Sequence, residues 1–273
     1  MDNLTKQSLV EKHIISPEFA SSKDENCAIL INDEENICIM INEEDHLRMQ
    51  LFGEGIAIEE LMNLAIEIDQ KLERLVDYAF SEKYGYLTAC PTNVGTGLRV
   101  SVMVHLPGLA ETGNLNKILH IVNNFGMSVR GVYGEGSQSM GNMYQISNNQ
   151  TLGLTEQEIV KNMKLITDKI IEQERVARKY LGKNQIGLAD KVYRAFGILE
   201  NARILSSNEC IDLLSDVKLG TDMGIISELD DTKIKKLFLY TKPANLQKYY
   251  GKVMDSNERD LKRTDIIRKI VTE

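Results

Sequence analysis

Strand-forming runs are confined to the first 147 residues of this chain, and beyond Lys183 only short helical patterns recur. A chain divided in this way cannot spread one sheet over its whole length. It must build a mixed unit first and a helical one after it. Residues 27–42 hold two apolar runs, CAILI and ICIMI, around the polar turn Asn32-Asp33-Glu34-Glu35-Asn36, the pattern of a hairpin. Further strands are expected near 86–90, 98–106, 127–133 and 142–147, where Val, Leu, Met, Tyr and Ile dominate between turns containing Gly or Pro. Apolar residues at three- and four-residue steps predict helices from Ile58 to about Val76 and from Asn114 to Val122, the latter capped by Gly126. Thr155-Glu156-Gln157-Glu158 has the form of a capping box and opens the longest helix, through Ile159 and Ala177 towards Gly182. Later helices are expected over 188–199, 206–214, 232–240 and 257–270. The expected architecture is α+β, with a largely antiparallel sheet flanked by helices over residues 1–182 and a smaller all-helical domain over 183–273.

With 273 residues, 42% of them hydrophobic and 26% charged, the chain can bury a sizeable core. Its net charge of -8 argues against broad affinity for nucleic acid or anionic lipid. No apolar run approaches the roughly 20 residues that cross a bilayer, and MDNLTKQSLVEKH lacks the apolar centre of a signal peptide, so a cytoplasmic protein is expected. Cys27, Cys38, Cys90 and Cys210 form no CxxC pair and no cluster with metal-ligand spacing; reduced thiols are expected.

Three turns stand out: Asn42-Glu43-Glu44-Asp45-His46-Leu47-Arg48, Cys90-Pro91-Thr92-Asn93-Val94-Gly95-Thr96-Gly97-Leu98-Arg99, and Arg130-Gly131-Val132-Tyr133-Gly134-Glu135. Each adjoins a strand-like run and sets an arginine near a carboxylate or a thiol. The first taken alone is an ordinary solvated acidic turn, and the glycines of the third suit any hairpin. Cys90 taken alone is a small buried hydrophobe, but the loop after it is rich in hydroxyls and in amides able to close around an anion, and nearby arginines favour a thiolate. Together the turns suit phosphoryl transfer from a nucleotide to a cationic acceptor: arginines hold phosphates while carboxylates hold the acceptor and take its proton. His105 and His120 fall within regular strand and helix patterns and are assigned to structure.

NEEDHLR, CPTNVGTGLR and RGVYGEGS, in this order and separation, resemble the ATP:guanido phosphotransferase family, which includes creatine and arginine kinases. VEKHIISP, VDYAFSEKYGYLTACPTNVGTGLR and NERDLKR are similar to its bacterial protein-arginine kinase branch, of McsB type. The resemblance spans almost the whole chain and implies the guanido kinase catalytic core, with ATP and Mg2+ as cofactors. It implies that Glu44 binds the guanidinium and acts as base, that Glu135 is its partner, and that Cys90 lies against the same group. Arg48, Arg99 and Arg130 are implied as the phosphate clamp, with Thr92 and Asn93 on the nucleotide-facing loop and His13 against the adenine. Magnesium is implied to sit on phosphate oxygens, with Glu43 and Asp45 acting through water and no direct protein ligand. Arg259-Asp260-Leu261-Lys262-Arg263 resembles the branch's phosphoarginine-binding RDxxR element; one helical turn separates the two arginines, so they can share a phosphate while Asp260 holds the guanidinium. An ordinary charged helix face is the alternative.

Branch membership further implies protein substrates with exposed arginine, a role in stress response and partners such as a heat-shock repressor, a zinc-binding activator protein and an ATP-dependent Clp-type protease. A homodimer is expected, with no membrane and no direct nucleic-acid contact. Two departures from the family pattern are visible. The SSRIRLARN-type strand, whose arginines complete the clamp in relatives, has no counterpart after the opening Met1, which predicts a weakened clamp and an uncovered sheet edge. Gln145 in YQISN stands where creatine and arginine kinases carry an acid. The competing expectations are a catalytically impaired phosphoarginine-binding module acting through Arg259 and Arg263, and a phosphagen kinase acting on free arginine.

Overall fold

Asn32 turns the first two strands around each other: its side-chain oxygen accepts the backbone N–H of Asn36 at 3.0 Å and of Ile37 at 2.9 Å. Strands β1 (Ala28–Ile31), β2 (Ile37–Ile41) and β3 (Leu47–Leu51) pair antiparallel in that order. Cys38 and Met40, on one face of β2, are fully buried beneath α1 (Asn3–Glu11) and α2 (Pro17–Ser21), against Leu9, Ile14, Ile15 and Ala20. Both helices start on side-chain caps: Asp2 accepts the Thr5 N–H, and Ser16 accepts the Phe19 N–H with Pro17 at the first helical position. Strand β3 and these two helices are additions to the sequence reading. The computed structural model describes residues 1–131 and 140–272.

Helix α3 (Ile58–Glu73) follows, then a small hairpin of β4 (Phe80–Ser81) and β5 (Gly85–Tyr86). The strand expected over 86–90 is therefore only the end of β5, because Thr88 and Cys90 turn inward on their own hydrogen bonds. Strands β6 (Ser101–His105), β7 (Met127–Gly131) and β8 (Met143–Asn148) form another antiparallel sheet in the order β6-β8-β7. Helices α4 (Pro107–Glu111) and α5 (Leu115–Asn124) connect β6 to β7, and α6 (Glu156–Leu181) runs across the unit. Leu106, Leu109, Val122, Met127, Tyr144, Ile146, Met163 and Ile170 make its core. The capping box on α6 is present in full, with Thr155 accepting the Glu158 N–H and the Glu158 carboxylate accepting the Thr155 N–H. The fold is α+β and its strands are antiparallel, though divided among three sheets among the described residues.

The remainder is helical: α7 (Gln185–Asn201), α8 (Ser207–Asp222), α9 (Asp231–Tyr240), α10 (Pro243–Tyr250) and α11 (Ser256–Thr272). They enclose Val192, Leu199, Leu214, Leu219, Leu237, Leu246 and Ile267. Polar contacts join this bundle to the sheets. The Glu11 carboxylate accepts the N–H groups of Ala244 (2.7 Å) and Asn245 (2.8 Å) at the start of α10. Nε2 of His105 lies 2.9 Å from the Ser215 hydroxyl of α8, and Arg178 of α6 bridges Glu174 and Asp222. Among the described residues no helix is long and apolar enough to cross a membrane.

Candidate active site

The acidic cluster forms the β2–β3 turn rather than leaving the second strand freely. Asn42 takes a left-handed φ of 56° and donates its N–H to the His46 carbonyl at 3.0 Å, closing the turn. Arg48 on β3 stands opposite Met40 on β2. Glu43 points inward: its carboxylate accepts from the Ser16 hydroxyl (2.5 Å), the Glu44 N–H (2.9 Å) and Arg48 Nη1 (3.1 Å). Burial raises its pKa, but these hydrogen bonds and the Arg48 charge outweigh it, so the group lies below the usual carboxylate range. Glu44 is exposed beside it, and Oδ1 of Asp45 accepts the Ala89 N–H at 2.6 Å. Of the two carboxylates expected to act on magnesium through water, Glu43 is thus held by protein donors, and Asp45 is held through Oδ1 by the neighbouring loop. Among the described residues no group of three or more His, Cys, Asp or Glu side chains could hold a metal ion.

Cys90 opens a loop fixed largely by itself. Its carbonyl accepts from the Thr88 hydroxyl (2.8 Å) and the Asn93 N–H (3.0 Å), and its thiol lies 3.0 Å from the Thr92 hydroxyl. Gly95 pairs with Tyr86 through both its N–H and its C=O, while the Thr151 hydroxyl donates to the carbonyls of Thr92 and Val94. Position 95 requires glycine: its φ is 115°, and a Cβ there would lie 2.4 Å from the Thr151 carbonyl oxygen. The amides of Asn93, Val94, Gly95, Thr96 and Gly97 all donate within the protein, so the loop does not present them to an anion. Thr92 and Asn93, expected on the nucleotide-facing loop, belong to this self-bonded segment, with the Thr92 hydroxyl against the Cys90 thiol.

Arg99 gathers the separate turns into one neighbourhood. Its pKa is lowered, first by partial burial and then by the positive charges of Arg130 and Arg48, while Cys90 and Glu44 pull the other way. Arg130 lies on β7 opposite Gln145 of β8, and neither Arg99 nor Arg130 makes an ion pair among the described residues. Glu44, Cys90, Arg48 and Arg130 are thus the charges that act on Arg99. Glu135 lies outside the described residues. His13 sits apart, at a left-handed position (φ 62°) between α1 and α2, with its pKa lowered to about 4 by burial and then by Lys242 of the helical part; none of the three arginines contributes to that shift.

The second expected element folds differently. Arg263 is 1% exposed, with Nε on the Thr241 carbonyl (2.8 Å) and Nη1 on the Leu205 carbonyl (2.5 Å) and on Asp260 (2.6 Å). Arg259 is half-buried and donates to the Met254 carbonyl at 2.8 Å. Of the two arginines expected to share a phosphate, Arg263 thus has its Nε and Nη1 engaged inside the protein, with Asp260 as its counterion. The signal was present, since Arg263 precedes the buried Ile266 and Ile267 by three and four residues and so lies on their face of α11. Sequence reasoning also missed Ser16 and Thr151, which brace the two turns; Ser16 before Pro17 is a recognisable cap, whereas Thr151 gives no signal of its own.

Residues 1–177 match the family described as ATP:guanido phosphotransferase, C-terminal catalytic domain, and residues 185–273 match the protein-arginine kinase McsB C-terminal domain. The chain belongs to the ATP:guanido phosphotransferase family, in its protein-arginine kinase branch. It is 52% identical over 272 residues to a protein-arginine kinase of Halothermothrix orenii, covering 98% of this chain and 78% of that one. A protein-arginine kinase of Bacillus pumilus is 50% identical, covering 97% and 73%. Among solved structures, a duplicated taurocyamine kinase from Schistosoma mansoni with bound transition-state analogue components is 25% identical with a TM-score of 0.57, over 86% of this chain and 32% of that one. A lombricine kinase is 30% identical with a TM-score of 0.51, over 64% and 51%.

Proposed function

We propose that this chain transfers the γ-phosphoryl group of ATP to the guanidinium of arginine side chains in proteins. The observation that carries this reading is the 2.6 Å hydrogen bond from the Ala89 N–H to Asp45, which brings the turn of Glu44 and Arg48 against the loop of Cys90 and Arg99, where Arg99 also feels the charge of Arg130. Three cations brought together against their own repulsion fit a polyphosphate, and a carboxylate and a thiol at their edge fit a planar cation. A guanidinium is a poor nucleophile because its lone pairs are delocalised and it is protonated at neutral pH. Glu44 orients it and accepts a proton as the N–P bond forms and the bond from phosphorus to the β–γ bridging oxygen breaks, with Glu135 as the opposing carboxylate. Arg48, Arg99 and Arg130 spread the charge of the transferring group and hold the departing diphosphate. Mg2+, when bound with ATP, neutralises phosphate charge, and the engaged state of Glu43 and Asp45 leaves its coordination to phosphate oxygens and water.

The catalytic part is assigned to residues 1–182 and the helical part to 183–273. Branch membership supports a cytoplasmic, dimeric kinase of the stress response whose partners include a heat-shock repressor, a zinc-binding activator and a Clp-type protease. The test is incubation of the purified protein with ATP, Mg2+ and an arginine-rich protein, alongside free arginine. Acid-labile phosphoarginine on the protein, absent with Glu44→Gln, is expected. Its absence with the wild type overturns the activity, and preferential labelling of free arginine overturns the substrate.

A further inference from the structure

A hydrogen bond from backbone to side chain ties the neighbour of Cys90 to the neighbour of Glu44. Asp45 follows the carboxylate in sequence and Ala89 precedes the thiol; the 2.6 Å contact from the Ala89 N–H to Asp45 Oδ1 joins residues 44 positions apart. We propose that Asp45 is a positioning residue that sets the distance between the Cys90 thiol and the Glu44 carboxylate, a role distinct from any service to the metal. The proposal rests on the function given above.

The remaining anchors of the Cys90 loop show why this contact matters. Downstream, Gly95 is fixed on Tyr86, and Thr151 holds the carbonyls of Thr92 and Val94. The contact from Thr88 to the Cys90 carbonyl is internal to the loop and travels with it. Asp45 is the contact that refers the upstream flank to the acidic turn. That turn is itself immobilised from behind, because Glu43 is gripped by Ser16 and Arg48 and the turn is closed by Asn42 and His46. The acceptor is a carboxylate and the donor a backbone amide, so the bond is charge-assisted and directional. If it is removed, residues 88–90 lose their tie to the acidic turn and are held upstream by the Leu87 N–H on the Ala79 carbonyl (2.8 Å); a displacement of about 1 Å between reacting groups costs up to roughly a hundredfold in rate.

The test separates position from metal binding and from turnover. Asp45→Ala is expected to lower kcat by about 10- to 100-fold with KM for ATP and the Mg2+ dependence unchanged, and Asp45→Asn, which keeps an oxygen acceptor, is expected to recover most of that loss. In a Cys27→Ser background, where Cys38 and Cys210 are buried, iodoacetamide should alkylate Cys90 several-fold faster in Asp45→Ala than in wild type or Asp45→Asn. Alkylation requires no catalysis, so it is read even if the protein transfers no phosphoryl group. An unchanged alkylation rate in Asp45→Ala overturns the proposal, as does an Asp45→Asn variant as impaired as Asp45→Ala with a raised Mg2+ requirement. Should Asp45→Ala fail to fold, Asp45→Glu, which keeps the charge but overshoots the contact by one methylene, carries the same expectation.

Discussion

Arg99 and Arg263 both stand in motifs that mix arginine with acid, and the fold puts them in opposite circumstances. Arg99 makes no ion pair among the described residues, and its protonated form is disfavoured first by partial burial and then by the charges of Arg130 and Arg48. Arg263 is enclosed, with two backbone carbonyls and a carboxylate around it. Arg263 has three of its five N–H donors engaged inside the protein, whereas Arg99 has none engaged among the described residues. Sequence spacing treats the two alike; the location of carbonyl oxygens and like charges distinguishes them.

That contrast can be broken at several points. Glu44→Gln should reduce transfer by roughly 10²- to 10⁴-fold while leaving ATP affinity intact, because it removes the base and no phosphate contact; isothermal titration with nucleotide alongside steady-state kinetics checks this, and an equal loss of ATP affinity would move Glu44 out of its role. Arg263→Ala should destabilise the protein by about 3–5 kcal/mol, since it strands Asp260 and two buried carbonyls. Urea unfolding reads that loss; a variant of wild-type stability that no longer binds a phosphoarginine peptide would return Arg263 to ligand recognition. Arg99→Ala should lower kcat by on the order of 10²- to 10³-fold while the melting temperature holds or rises, because a repulsive charge is removed.

The smallest effect concerns acid. His105 is held neutral down to about pH 3 by burial and then by the charges of Arg178 and Lys218, against an ordinary value of 6.5, and His13 behaves similarly with a value of about 4. Their folded-state pKa values lie below the unfolded ones, so the unfolded chain binds more protons in this range. Stability is intact above pH 6.5 and declines as pH falls from there towards 3. Melting curves across that range should flatten in His105→Gln, and a slope identical to wild type would show that His105 is not the group responsible.

Much of the architecture was legible because its signals are local. The Asn32 turn, the Thr155 capping box and the apolar periods of α3, α6, α7 and α8 each sit within one window of sequence. What escaped notice lacks such a window. β3 reads LRMQL, with Arg48 and Gln50 interrupting its apolar pattern, and α10 is an eight-residue helix too short to show a period. In the site, residue identities were readable but the allocation of donors was not: whether the amides after Cys90 face a ligand depends on Thr151 and Tyr86, which approach from elsewhere in the chain. The burial of Arg263 is readable from its spacing to Ile266 and Ile267.

The Glu11 carboxylate on the first two amides of α10 has a consequence for biosynthesis. Its partners Ala244 and Asn245 leave the ribosome some 230 residues after it. Until then α1 has no dock for its polar end, and the strand meander it covers stays partly uncapped. The cover of the sheet that presents Glu44 is thus completed only once α10 has been translated.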